Sequence, residues 1–399
     1  MKFNEQEVLR TSEHISPSHP DKVCDLIAER LLAFTQKGNP GARFACDGAI
    51  KNNVLSLVGE VSQRLDKEEE NEIILQTLEE LGYGTDYCKE FNLTAYGKRN
   101  GWYINKTFTG QSENIARGVD SLGKTKASAG DIGIMFGYAA QEAPDLTFAP
   151  HWTAKRFLRD LYSQWKKKNR GVTALRPDMK ALVTIRYVGG VPVEVTKVTL
   201  CVSHASDSNV IPEVLRSAKI TLSKIQNTTG WDTDSTIIQV NPTGAFSIYG
   251  PVADSGLVGR KIVCDQYGGA APVGGGNLNG KDATKVDRSA VYMARYMAKS
   301  IVAEGLAREA VVQLAYEIGR PNAVSVNVET DGTPFWRKRT LRNFVAKFDT
   351  SVQAIIDRFD LYNMSHAVHD ECAMWGHIGD TSLYAHPDNS HMLPWERIK

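Results

Sequence analysis

Three stretches of this chain repeat one pattern, and that repetition limits what it can fold into more than any other feature. They are ARFACDGAIKNNVLSLVGEVSQ from Ala42, ALVTIRYVGGVPVEVTKVTLCVS from Ala181 and AVVQLAYEIGRPNAVSVNVETDG from Ala310. Each opens with a β-rich run of alternating character, turns on Gly, Pro or Asn, and returns in a second alternating run, which reads as a β-hairpin. Helical patterns flank all three. Residues 20–34 set Val23, Ile27, Leu31 and Phe34 near one face ahead of the first hairpin. Residues 151–168 space Phe157, Leu161 and Trp165 four apart ahead of the second. Residues 283–304 carry Val286, Ala290, Met293, Met297 and Ile301 ahead of the third, with Gly305 placed to end that helix. Further helices are predicted after the hairpins, over 66–81, 212–225 and 341–359.

A helix–hairpin–helix unit leaves a sheet face open until something covers it, and three units packed about a shared axis would close it. The expected class is therefore α/β of the α+β type. It has three similar helix–hairpin–helix domains around a pseudo-threefold axis, with mixed sheets covered by helices. Hairpins and helices also alternate in many unrepeated α+β proteins, so the pattern alone leaves that alternative open. Domains are expected over 1–112, which includes the start of a lid loop, over 113–237 and over 238–399, with some interleaving. A chain of 399 residues is long enough for such a division.

The charge balance directs attention to local clusters. Formal net charge is +1, so no bulk nucleic-acid or membrane surface is expected, and any polyanion must be met by a local group of cations. The six cysteines include no CxxC pair, which argues against a thiolate zinc site and fits a reducing, cytoplasmic setting. The first ten residues lack the apolar run of a signal peptide.

Four clusters carry candidate chemistry. His19-Pro20-Asp21-Lys22 suits a helix start, where N–H groups favour anions and Asp21 can hold Mg²⁺ beside a phosphate. The run from Asp254 to Ser289 is the richest. Arg260, Lys261, Lys281, Lys285 and Arg288 are candidates for anionic oxygens, and Asp254, Asp265, Asp282 and Asp287 for metal or hydroxyl groups. Gly274, Gly275, Gly276 and Gly280 allow close backbone approach to a phosphate. Residues 275–281 also fit the start of a Walker A loop, but Asp282 stands where that motif needs Ser or Thr. Asp178 and Lys180 alternate out of a strand start, and Phe246 follows a tight turn where it could stack on a base or fill core. The polar, Gly-rich segment between Tyr83 and Gly133 reads as a lid or a linker.

Taken in order, these motifs resemble the methionine adenosyltransferase (S-adenosylmethionine synthetase) family over nearly the whole chain. The likeness includes Thr11-Ser12-Glu13, Gly59-Glu60-Val61, Gln111-Ser112 and Gly118-Val119-Asp120. It continues at residues 129–138, 254–289, Ile318-Gly319 and Pro394-Trp395-Glu396. The resemblance implies attack of methionine sulfur on C5′ of ATP, then hydrolysis of the tripolyphosphate to pyrophosphate and phosphate. It also implies a homodimer or homotetramer with active sites between subunits. His19, Lys180, Lys261, Lys281 and Asp131 match catalytic positions. His19, Asp178, Lys180, Phe246, Asp254, Arg260, Lys261, Asn277 and Lys281 match ATP contacts. Glu60, Gln111, Asp254, Lys285 and Ile318 match methionine contacts. Asp21 and Asp287 match two Mg²⁺ carboxylates, and the segment after Gln111 matches the mobile lid.

The chain also departs from the family pattern. Pro17-Ser18 replaces Glu-Gly, and Asp47 replaces the Glu linked to K⁺. Ile132 replaces Gln, Ala245 a basic residue, and Asn277-Leu278-Asn279 replace Ala-Phe-Ser. Residues 380–391 look inserted. Two other readings compete: a P-loop-like NTPase or kinase, and a catalytically silent nucleotide-binding homologue.

Overall fold

The computed structural model describes residues 7–93, 100–110, 127–167, 174–206, 208–331, 338–379 and 393–398. Gln111, the expected lid after it and the insertion at 380–391 lie outside the described residues. All three expected hairpins form. β2 (Phe44–Lys51) pairs with β3 (Val54–Val61), β6 (Leu175–Val188) with β7 (Val191–His204), and β10 (Glu309–Tyr316) with β11 (Ser325–Asp331), each antiparallel. The second turns on Gly189 and Gly190, both at positive φ, the conformation that matches the twist of flanking strands and that glycine adopts at little cost.

Sequence periodicity did not reveal how the hairpins are completed. Each gains on its first strand an antiparallel partner from elsewhere in the chain. β1 (Glu7–Ile15) lies along β6, β5 (Gly133–Ala140) along β10, and the two-residue β9 (Gly256–Leu257) along β2. The exchange is cyclic. The strand ahead of the first helix serves the second hairpin, the strand ahead of the second helix serves the third, and the strand ahead of the third serves the first. β4 (Tyr103–Thr109) and β8 (Ile237–Val240) add parallel outer strands to the first and second sheets, making those two sheets mixed.

The repeated helices are α1 (Pro20–Gly38), α3 (Ala149–Lys167) and α5 (Val286–Ala303), with α2 (Lys67–Glu80) and α4 (Ile211–Thr229) following the first two hairpins. Val286, Ala290, Met293, Met297 and Ile301 are all fully buried, as the 3.6-residue period requires. The helix starts at Val286 rather than at 283 because the Asp282 side chain accepts from the Thr284 N–H and hydroxyl, forming a turn that competes with helix there. The single helix expected over 341–359 is two. α6 (Lys338–Val345) stops, and Ser351 caps α7 (Val352–Phe359) by accepting from the Ala354 N–H. α8 (His366–Trp375) follows. The second and third units share one apolar core, and the first has its own around Leu26, Leu55, Leu57, Ile74 and Leu78. No helix among the described residues is long and apolar enough to cross a membrane.

Candidate active site

The predicted residues gather at the N-termini of two of the repeated helices. At α1, His19 is the N-cap, and its Nδ1 accepts from the Asp21 N–H at 3.2 Å. That bond leaves the ring proton on Nε2. Burial, reinforced by Lys180 and Lys261, pushes the imidazole down to about 3, so His19 is neutral near pH 7. Asp21 is buried among cations and donors. Its Oδ1 accepts from the Leu257 N–H at 2.9 Å, its Oδ2 from Lys261 Nζ at 2.5 Å, and Arg260 Nε lies 3.8 Å away. β9 reaches this helix end because residue 256 is glycine: a Cβ there would sit 2.1 Å from the Pro20 carbonyl oxygen.

Asp178 and Lys180 stand two residues apart in β6, and the charge of Lys180 acts on the Asp178 carboxyl. Lys180 is exposed, whereas Asp178 is covered by the one-turn helix Gly250–Ala253 and accepts the Gly250 N–H at 3.0 Å. Gly250 sits at φ 60, and a Cβ there would strike the Tyr83 ring. The other Asp178 oxygen, Oδ1, is buried without a hydrogen-bond partner. Burial raises this carboxyl to about 6, and Asp254 and Asp21 reinforce the rise. Asp254 is exposed at the end of the same short helix. Phe246 is half-buried, and its backbone N–H and carbonyl are both held by His204.

At α5, Lys285 is the N-cap and Asp287 the second helical residue. Lys281 Nζ lies 2.6 Å from Asp287 Oδ2, and Lys285 Nζ 3.3 Å from Asp282. Glycines wrap the first pair. A Cβ on Gly275 would come 2.9 Å from Asp287 Oδ1, and one on Gly276 3.0 Å from Lys281 Nζ. The start of β5 lies beside the same carboxylate, with Gly133 facing Oδ1. Lys281 bridges to Ala45, which pairs with Glu60, so exposed Glu60 and Asp47 lie on the sheet that borders this group. Exposed Asp131 and Ile318 are joined along one edge by backbone bonds between Ala129 and Gly319–Arg320.

α1 and α5 begin alike. Asp21 and Asp287 are each the second helical residue and each pairs with a lysine, and Lys22 and Arg288 are each the third. That correspondence escaped the sequence reading because periodicity tracks apolar positions. Among the described residues no direct hydrogen bond or ion pair joins Asp21 or Lys261 to Lys281 or Asp287; the two helices are linked further along, where Glu29 of α1 takes Arg288 and the Gly280 N–H.

Several residues expected to face ligand do structural work instead. Lys22 is buried between Asp265 (2.5 Å) and Asp25 (3.1 Å). Arg288 forks onto Glu29 at 2.9 and 2.5 Å, and Asp282 is held by Phe44 N–H, Thr284 and Lys285. Asn277 folds back on its own loop, donating to the Asn279 carbonyl and accepting from its N–H. The Walker A likeness fails as well. Lys281 lies five residues ahead of α5, and Asp282 is a buried structural carboxylate.

Among the described residues no three His, Cys, Asp or Glu side chains are grouped to hold a metal. Mg²⁺ does not ask for that: it takes one or two carboxylates with substrate oxygens and water. Asp21 and Asp287, whose Oδ1 is bordered by Gly133 and Gly275, each offer one such carboxylate.

Family models for the N-terminal, central and C-terminal domains of S-adenosylmethionine synthetase match residues 7–98, 126–246 and 248–397. A protein of Methylobacterium sp. (strain 4-46) named S-adenosylmethionine synthase is 37% identical over 401 residues, covering 98% of this chain and 96% of that one. One of Nitrobacter hamburgensis with the same name is 38% identical over 408 residues at the same coverage. A solved structure, described as an unusual S-adenosylmethionine synthetase from Campylobacter jejuni, superposes with a TM-score of 0.82 at 28% identity, over 98% of this chain and 97% of that one.

Proposed function

The chain belongs to the S-adenosylmethionine synthetase family, and on that premise we propose how its two helix-end groups make S-adenosylmethionine from ATP and L-methionine. The observation that carries the reading is the repeated carboxylate–lysine pair, Asp21–Lys261 and Asp287–Lys281, at two helix N-termini. Attack of a thioether on C5′ needs no base. The obstacle is the departing triphosphate, and cations fixed before the reaction lower that barrier most. Lys261, Arg260, Lys180 and neutral His19 meet the polyphosphate from the α1 side, and Lys281 from the α5 side. Asp178 Oδ1 accepts a ribose hydroxyl, and Phe246 stacks on adenine. Asp254, Glu60, Lys285, Ile318 and Gln111 enclose methionine, and Asp131 completes the site. Asn277 contributes through the loop it folds. The tripolyphosphate is then cut to pyrophosphate and phosphate. Bound magnesium supplies further positive charge, and Asp21 and Asp287 are its carboxylates.

Among the described residues Asp21 and Lys261 are not bonded to Lys281 or Asp287, and this reading places each site between copies of a homodimer or homotetramer, the α1 group of one with the α5 group of another. Exposed Val58, Leu182 and Val188 on the outer sheet faces suit such a contact. Neither nucleic acid nor membrane enters this reading.

Purified protein given ATP, methionine, Mg²⁺ and K⁺ should release S-adenosylmethionine, pyrophosphate and phosphate in equal amounts, each dependent on methionine. ADP with phosphate and no S-adenosylmethionine would make it an NTPase, and ATP binding without turnover a silent homologue.

Two predictions attach to single carboxylates. Asp178 is raised to about 6, so lowering the pH through that value protonates the ribose acceptor, and ATP affinity falls. The same shift makes the ligand-free protein lose stability as pH rises from the unfolded carboxyl value toward 6, because the folded state holds a proton there that the unfolded chain has released. Asp178→Asn should flatten both trends; calorimetric ATP titrations and urea melts across this range test it, and an unchanged ATP profile would remove Asp178 from the ribose. Asp47, one methylene shorter than the family's Glu, predicts weak K⁺ activation. A large rate increase on replacing Na⁺ by K⁺ would overturn that.

A further inference from the structure

Behind the loop that carries Lys281 runs a line of buried hydrogen bonds, in which each direction follows from the one before. Asp265 Oδ1 takes Lys22 Nζ at 2.5 Å, so Asp265 is a carboxylate and its Oδ2 needs a donor. Asn279, wholly buried, supplies that donor through Nδ2 at 3.0 Å, which turns Asn279 Oδ1 toward His377 Nε2 at 2.9 Å. Burial and the charge of Arg288 hold His377 well below its ordinary value, so the ring is neutral. It therefore donates from Nε2 and accepts at Nδ1, where the Tyr292 hydroxyl donates at 2.7 Å. Tyr292 accepts in turn from Arg288 Nε at 2.9 Å. Arg288 also donates to the Lys281 carbonyl at 2.9 Å, and Glu29 accepts the Gly280 N–H at 2.8 Å. His377 itself is anchored by its N–H to the Asp265 carbonyl and by its own carbonyl to Trp395 Nε1.

We propose that Asn279 and His377 are positioning residues. Their amide–imidazole strut, braced by the C-terminal segment, sets the 277–281 loop and so the place of Lys281 against the polyphosphate. Only a side chain with a donor and an acceptor on one planar group spans Asp265 and His377 in this way. The serine usual at position 279 in the family has a single oxygen for both. The inference rests on the functional reading above.

Asn279→Asp tests it with little change of shape. When protonated, the introduced carboxyl reproduces both bonds, its O–H to Asp265 and its carbonyl oxygen to His377. When ionised, it faces the Asp265 carboxylate and breaks the strut. Burial and Asp265 both raise the pKa of that new group, so kcat relative to wild type should recover about fivefold or more between about pH 8 and about pH 6. Wild-type kcat at both values would overturn the proposal, and so would an equal loss at both. If Asn279→Asp does not fold, His377→Phe keeps the ring against Tyr292 and removes both bonds. It should lower kcat about tenfold or more with methionine KM unchanged, and unchanged kcat would overturn the proposal. A wild-type protein that binds tripolyphosphate but makes no S-adenosylmethionine would refute the functional reading instead. The strut would then be judged by tripolyphosphate affinity of N279D at the two pH values, where no difference would overturn it.

Discussion

Lys281→Ala lowers turnover by about 10² to 10³, the loss expected when a fixed cation is taken from developing negative charge. Lys281 Nζ sits against Asp287 Oδ2, and Gly275 and Gly276 of the loop lie against the pair. The two nearest cations in sequence are engaged elsewhere: Arg288 with Glu29 and Lys285 with Asp282. Steady-state kcat and KM for ATP decide it, and normal turnover would remove Lys281 from the polyphosphate. Asp282→Ser, which completes the Walker A pattern on paper, should reduce activity. It removes a buried carboxylate that holds the Phe44 N–H, Thr284 and Lys285.

Glu396→Ala has the largest expected effect on stability. Glu396 is 1% exposed and accepts from Arg295 Nε and Nη2, from Lys299 Nζ and from the Gly379 N–H. Burial alone would raise its pKa, but Arg295 and Lys299 hold the carboxyl far below the usual range. A carboxyl lowered in this way contributes its full stabilisation above its unfolded value and loses it only as pH falls toward the folded one, so the contribution is flat through neutral pH. Removing Glu396 leaves two cations in the core with carbonyl partners alone: Arg295 on Tyr138, Asp145 and Leu146, and Lys299 on the residue 396 carbonyl. Breaking one side of a buried pair costs about 3–5 kcal/mol. Urea unfolding measures it, and a loss under about 1 kcal/mol would mean that the carbonyls suffice.

Much of this was legible in the sequence because it follows local rules. The three hairpins, the apolar stripe of α5 and the cap at His19 each depend on residues within a few positions of one another. The site was legible as a set of residue types. What could not be read was their allocation. Lys281 and Arg288 are cations seven residues apart in one sequence cluster, and the position of Glu29, far back in α1, makes Arg288 structural while Lys281 is left against Asp287. The same holds for Asp265 against Asp287: Lys22 across the core claims the first, and glycines border one oxygen of the second. The strands β1, β5 and β9 were missed because each is completed by a hairpin far along the chain, and β9 has two residues, too few to show a period.

The cyclic exchange of strands also sets a timetable for synthesis. β1 leaves the ribosome first, yet Glu7 pairs with Val188 and Ile15 with Lys180. At usual elongation rates that partner follows on the order of 10–30 s later. β9 reverses the order, since the first hairpin waits for Gly256–Leu257 to close its open edge. The first unit cannot finish its sheet when its own hairpin emerges, and β1 and β5 likewise wait for hairpins made later, so these strands spend that interval with unpaired edges. A pause in translation after the first hairpin lengthens the time its edge stands open, and open strand edges are where chains pair with one another.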